Sequence, residues 1–487
     1  MTATATPQAG PGLVLRSRRG RQVLLATVLG SGVAQLDGTI VNVALPRIGS
    51  DLHAGLTALQ WTVNGYTLAL AGLLLLGGSL GDRLGRRRVF VIGVAWFALA
   101  SAGCAAAPTS GVLVALRVVQ GVGGALLTPG SLAILESVFR EDERAAAVGA
   151  WSGLGGVATA FGPVLGGALV GMAPWGWRLA LLINVPLAAV VLAAARAIPE
   201  TRDPGAAGPL DVPGAAVAAA GLSALIFGLT IGPGHGWPPA AVVGVVAGLA
   251  LLAAFVVLED RRPAPMLPPS LFRIRQFSAA NAVTFVVYAA LGGTLFLLPV
   301  QLQVGSGFSP TESGAAFLPF TVVMLLLAAR GGRLAQRIGP RLPMTVGPIV
   351  AGLGELLFLR VGRGASYVTD VLPAVVVMGL GMAATVAPLT ATVLGAAPPG
   401  NAGIASAVNN TVARAGSLVA VAVLPGIAGI TQASYRNPAA LSSGFHTAVL
   451  VTGVLTVAGG LLSAVTIQNT PVRSRGVSTC PLPPATR

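Results

Sequence analysis

Four ionisable residues stand deep in stretches that are otherwise almost wholly apolar: Asp37, Arg117, Glu355 and Arg414. A charge in such a setting is costly unless it is paired or faces water, so each is a candidate functional group. A carboxylate at Asp37, in QLDGTIVNVALP, can take a proton from one side of a membrane and release it to the other. Arg117 either bonds backbone carbonyls of a neighbouring helix or pairs with a membrane carboxylate. The pairing is favoured here, because an adjacent cation and burial pull a carboxylate's proton affinity in opposite directions. For Asp37 the alternative to a coupling or substrate-charge role is a structural hydrogen-bond hub. Glu355 and Arg414 are weaker candidates, and a pair between them is open.

The residues around these charges share helix faces. Arg117, Gln120, Gly121, Gly124 and Thr128 fall within about 100° of one another at helical spacing, a stripe suited to a cavity or a close neighbour. On the first helix Gln35, Thr39 and Asn42 share a face, with Asp37 roughly 160° away. One of those two faces is therefore interhelical. A further polar stripe holds Ser406, Asn410, Arg414 and Ser417. Gln35, Thr39, Asn42, Gln120 and Asn410 are the polar candidates for a cavity lining. In GGVATAFGPVLGGALV, Gly155, Thr159, Gly162 and Gly166 line one face, with Pro163 among them. Small residues let helices approach closely, and Pro with Gly permits bending. The segment reads as a tight pivot beside a transport path.

The densest charge lies in GGSLGDRLGRRRVF, from Gly77 to Phe90. Gly78, Asp82, Arg83, Gly85, Arg86 and Arg87 form a turn between two apolar runs, so the turn sits in water at a membrane face. One Asp among arginines can clamp one helix end to another.

The elements that must carry these residues follow from composition. Of 487 residues 54% are hydrophobic and 9% charged, with mean hydropathy +0.81. No soluble domain has so little polar surface. Crossing about 30 Å of hydrocarbon takes about 20 helical residues. Windows fall at 22–45, 55–78, 88–107, 111–136, 144–170, 178–196, 212–232, 237–258, 276–301, 312–330, 342–361, 368–395, 402–430 and 445–467, fourteen in all. The basic stretch Arg16 to Arg21 precedes a run too long for a signal-peptide core, so the first helix is expected to be retained. All thirty basic residues are Arg, a bias that suggests a GC-rich, bacterial genome. With both ends cytoplasmic, twenty-three arginines fall inside and five outside, as the positive-inside rule requires. The net charge of +15 is thereby a topology signal and not a nucleic-acid footprint.

An internal repeat is visible. A shift of 254 positions lays Gly77, Gly78, Leu80, Arg83, Gly85 and Arg87 on Gly331, Gly332, Leu334, Arg337, Gly339 and Arg341, with Gln336 replacing Asp82 and Pro340 replacing Arg86. Such duplications are a transporter signature, with the path at the repeat interface. The expected division is a tail over 1–21, a six-helix bundle over 22–196, a linker with two extra spans over 197–275, a second bundle over 276–467 and a tail over 468–487. Cys104 and Cys480 form no framework, no phosphate-binding loop is present and no Ser/His/Asp set is evident. The expected protein is no enzyme, uses neither ATP, metal nor cofactor, and acts as a monomer in the cytoplasmic membrane.

These segments resemble the major facilitator superfamily over essentially the whole chain. GGSLGDRLGRRR is similar to its loop between helices two and three, LRVVQGVGGALLTPG to its helix-four motif, and GGVATAFGPVLGG to its antiporter motif in helix five. QLDGTIVNVALP and WGWRLALLINVP resemble the fourteen-helix drug:proton antiporter branch. The resemblance implies an all-α fold of two six-helix bundles plus two inserted helices, exporting amphipathic compounds in exchange for protons. It also implies that Asp82 and Arg83 belong to a cytoplasmic latch of the outward-open state. The expected function is proton-coupled efflux of antibiotics or other amphipathic molecules, with self-resistance one physiological setting. A nutrient importer or symporter is the first alternative, opposed by the helix-five motif. A membrane sensor or scaffold is the second, opposed by the intact charged motifs.

Overall fold

The computed structural model describes residues 12–203, 210–233, 236–262, 265–398, 401–435 and 437–469. Cys480, His235 and the tail arginines lie outside them. So do the side chains of 152–160, Thr159 and the candidate Gly155 among them.

Every described element is helical, as a chain without water to satisfy its backbone requires. The first half comprises α1 (Arg18–Asp51), α2 (Leu56–Leu84), α3 (Arg86–Ala106), α4 (Ser110–Val138), α5 (Glu141–Gly171), α6 (Gly176–Leu182) and α7 (Asn184–Ala194). Next come α8 (Val212–Ile231) and α9 (Pro239–Asp260). The second half holds α10 (Arg275–Val300), α11 (Pro310–Ala315), α12 (Leu318–Ile338), α13 (Arg341–Leu357), α14 (Leu372–Ala396), α15 (Ala402–Ile427), α16 (Gln432–Tyr435) and α17 (Pro438–Thr466). Thirteen helical stretches among the described residues are long and apolar enough to cross a membrane. The 31-residue α5 lies in the fifth expected window.

Local chemistry sets the helix ends. Ser17 accepts from Gly20 N at 3.0 Å, and Asp211 Oδ1 from Gly214 N at 2.8 Å. Ser309 and Glu312 close a reciprocal capping box at the start of α11. Such caps satisfy amides that the helix leaves without partners. Two expected spans are broken. Pro186 cannot donate to the Leu182 carbonyl, and α6 ends at Leu182. Pro319 stands in the same relation to Ala315, where α11 ends.

Each half has its own core, one around Tyr66, Phe90, Phe97 and Ile134, the other around Phe277, Val287, Met344 and Leu389. A third core joins the halves through Leu45, Trp177, Leu298, Phe317 and Phe445. Hydrogen bonds cross between the halves at that same end, remote from the α2–α3 loop. Leu56 N donates to Gln432 Oε1 at 2.6 Å, Gln60 Nε2 to Val421 O at 2.7 Å, and Gln303 Nε2 to Val43 O at 2.9 Å. The inserted α8 packs through Ile226 against Leu68 of α2 and Leu418 of α15.

Candidate functional site

Asp37 of α1 and Arg117 of α4 form a salt bridge, 0% and 1% exposed. One carboxylate oxygen meets Arg117 Nη1; the other accepts from Gln120 Nε2 at 3.0 Å and Asn184 Nδ2 at 2.7 Å. Arg117 is held further by the Thr62 carbonyl at 3.0 Å and by Gln120 Oε1 at 2.6 Å. Its guanidinium lies 4.4 Å over the Tyr66 ring, and the Tyr66 hydroxyl bonds Ala34 O at 2.8 Å. Ser101 of α3 accepts from Gln120 at 2.7 Å. Five helices thus meet at one ion pair. Burying a charge pair costs desolvation, and only saturation of both partners by hydrogen bonds offsets it.

This settles which face of α1 turns inward. Asp37 faces the interior of the first half, while Gln35, Thr39 and Asn42 are half-buried on the opposite side. Gln120, expected to line a cavity, is 0% exposed and serves Asp37 instead. The glycines of the α4 stripe seat α2. A Cβ on Gly124 would lie 2.6 Å from Leu70 Cδ1, and one on Gly121 2.8 Å from Ala69 Cβ. Asn184, Ser101, Thr62 and Tyr66 were not singled out by the sequence. Asn184 carried one signal, an amide at a proline-broken position of an apolar span.

The charged loop is a clamp. Asp82, in the last turn of α2, pairs with Arg86 at 2.8 Å, and Arg86 reaches Ala133 O of α4 at 3.3 Å. Gly85 has φ +115°, and the place of its absent Cβ is 2.5 Å from Glu200 Oε1. Glu200 accepts from Arg87 N at 3.1 Å and Arg88 N at 3.2 Å, capping α3. Asp203 N bonds Asp82 O and Arg86 N bonds Thr201 O, both at 2.9 Å. A Cβ on Gly78 would lie 3.5 Å from Pro129 Cβ, and Arg83 is half-buried. In the second copy Gly339 has φ +86°, and Asn469 Oδ1 accepts from Arg341 N at 3.1 Å. An amide there does the capping that Glu200 does in the first copy.

The small-residue helix seats two neighbours. A Cβ on Gly166 would lie 3.2 Å from Ile40 Cα, and Gly162 meets Thr39, so this face is filled by α1. Gly167 faces α11 of the other half: a Cβ on it would lie 3.1 Å from Gly314 Cα, and one on Gly314 would run into Pro163 O. Thr311 Oγ1 bonds Gly167 O at 3.2 Å.

The second half pairs neither Glu355 nor Arg414 with an opposite charge among the described residues. Glu355 is 1% exposed and accepts from Thr456 Oγ1 at 3.1 Å, between α13 and α17. Arg414, on α15, has no carboxylate within ion-pair distance among the described residues, and its Nε has no hydrogen-bond partner. The open Glu355–Arg414 pairing is therefore absent: the two sit on helices that turn them to different neighbours. Asn410 is exposed and donates to its own helix at Ser406 O, 3.0 Å away.

A family model described as Major Facilitator Superfamily matches residues 27–421. A protein named "Probable actinorhodin transporter" from Streptomyces coelicolor is 38% identical over 416 residues, covering 83% of this chain and 72% of that protein. The "Tetracenomycin C resistance and export protein" of Streptomyces glaucescens is 36% identical, covering 83% and 76%. The "Methylenomycin A resistance protein" of Bacillus subtilis is 35% identical, covering 84% and 87%. Among solved structures, a bacterial homologue of the human lysosomal transporter Spinster matches with TM-score 0.67 at 17% identity, over 93% of this chain and 97% of that one.

Proposed function

We propose that this chain, which belongs to the Major Facilitator Superfamily, exports antibiotics or other amphipathic small molecules across a bacterial cytoplasmic membrane in exchange for protons. The names of its relatives, one a probable transporter, one a resistance and export protein and one a resistance protein, support the cargo class. In this reading fourteen helices span the bilayer, both termini are cytoplasmic, and the joined end of the two halves is the outer one. The conformation described is then inward-facing.

Proton coupling is carried by one observation, the sealed Asp37–Arg117 pair. Ionised, Asp37 ties α1 to α4, and through Asn184 to α7. Protonated, it leaves Arg117 without a counter-charge, and the packing around that guanidinium must change. Protonation from the outside would lower cargo affinity and drive the return to the inward-facing state. Everted membrane vesicles test this: cargo added to energised vesicles collapses a preformed pH gradient. Full cargo-driven proton release by Asp37→Asn would refute the coupling assignment.

A further inference from the structure

The membrane-depth charges do not balance where the two halves meet. Asp37 and Arg117 cancel inside the first half, and Glu355 is sealed inside the second. Arg414 is left over. It is half-buried on α15, the helix that α2 meets across the junction through Gln60 and Val421. Seven residues separate Val421 from Arg414, close to two turns, so both lie on one side of α15. On α2, Asn64 lies one turn from Gln60 on the face toward α15. Asn64 is 1% exposed, and neither atom of its amide has a partner among the described residues.

A guanidinium is charged at every physiological pH and presents a planar fork of donors matched to an oxyanion. Held at membrane depth with no carboxylate in ion-pair reach among the described residues, it is complete only when the passenger brings one. We propose that the cargo is an amphipathic acid, whose carboxylate or ionised phenol is held by Arg414 with the Asn64 amide as second donor. The proposal rests on the export reading and narrows its substrate class to organic oxyanions. It places recognition at the junction and proton chemistry inside the first half, so the two sites are separable by mutation.

Two xanthene dyes of opposite charge, fluorescein and rhodamine 6G, serve as probes. Binding is read by fluorescence anisotropy on the full chain in nanodiscs of phosphatidylcholine alone, which removes anionic lipid as a competing oxyanion. The wild type binds fluorescein more tightly than rhodamine 6G. Arg414→Gln weakens fluorescein by about tenfold or more and leaves rhodamine 6G within about twofold, the loss of one charge-assisted contact. Arg414→Lys keeps part of the fluorescein affinity, and Asn64→Ala loses less than Arg414→Gln. An equal loss of both dyes would mark Arg414 as structural and overturn the proposal. So would unchanged fluorescein binding, or a wild-type preference for the cation, which decides the matter even if Arg414→Gln fails to fold. In energised everted vesicles, uptake of rhodamine 6G without fluorescein leaves export standing and overturns the acid. Uptake of neither dye overturns export and the acid together.

Discussion

Asp37 is the acceptor on which the first half converges, with three side-chain donors aimed at it. Arg117, Gln120 and Asn184 hold it, and Arg117 in turn bonds Thr62 and Gln120. Removing one charge from such a pair leaves the other buried and uncompensated, a loss of about 3–5 kcal/mol where pairs are fully desolvated. Asp37→Asn is therefore expected to lower the thermal unfolding midpoint in detergent markedly. The double variant Asp37→Asn, Arg117→Gln is expected to recover most of that loss, because no charge remains to be desolvated, while cargo-driven proton release stays absent. An Asp37→Asn midpoint equal to wild type would show that the pair contributes nothing to folding. That Arg117 pairs with a membrane carboxylate was legible in the sequence; that the carboxylate is Asp37 comes from the fold. Ser101 and Asn184 were not, because a hydroxyl or amide becomes a ligand only once the packing of α3 and α7 beside α4 is known. The Glu355–Arg414 pairing failed for the same reason: charge alone does not say which way two helices turn.

At the scale of elements, the α2–α3 clamp works by removing conformational choice. Gly85 sits at a backbone geometry that costs a residue bearing a Cβ about 1–3 kcal/mol, and the Glu200 carboxylate occupies the adjoining space. Gly85→Ala is expected to destabilise the protein by that amount and to free the start of α3. Hydrogen exchange of the Arg87 and Arg88 amides would report it as faster exchange, and unchanged protection would argue against the clamp. Glu200→Gln keeps an acceptor and is expected to cost less than Glu200→Ala, which removes the cap and a charge favoured at a helix N-terminus, an effect of about 1 kcal/mol. The repeat made the two glycines visible as equivalents, and both adopt positive φ. It did not show that Glu200 and Asn469, which follow the last helix of each half, supply the caps. Those positions lie outside the repeated motif and reach it only through the fold. Helix windows found each span but stopped up to eight residues short of the observed ends, as at Ile338 and Pro438, because polar and charged end turns fall outside an apolar run. The breaks after Leu182 and Ala315 depend on prolines that a hydropathy window averages away.

For the whole molecule, the junction sets the state. The halves are joined at one end by the shared core around Leu45, Trp177 and Phe317 and by the bonds from Leu56 and Gln60. Close seating of Gly167 on Gly314 adds a contact that no larger side chain permits without parting α5 from α11. Alternating access requires this end to open while the other closes, so anything that ties it shut must stop the cycle. Gly55 and Gln432 offer the test, because a Cβ on Gly55 would lie 3.4 Å from Gln432 Cδ, and Gln432 is exposed. In a background with Cys104 and Cys480 replaced by alanine, Gly55→Cys with Gln432→Cys is expected to be bridged by a short bifunctional thiol reagent. Bridging should abolish energised dye uptake into everted vesicles, and each single variant treated alike should keep it. A cleavable disulfide-containing reagent should restore uptake on reduction, which separates a locked junction from damage. If the bridged protein transports at the unbridged rate, this end does not open during the cycle, and the path lies elsewhere than between the halves.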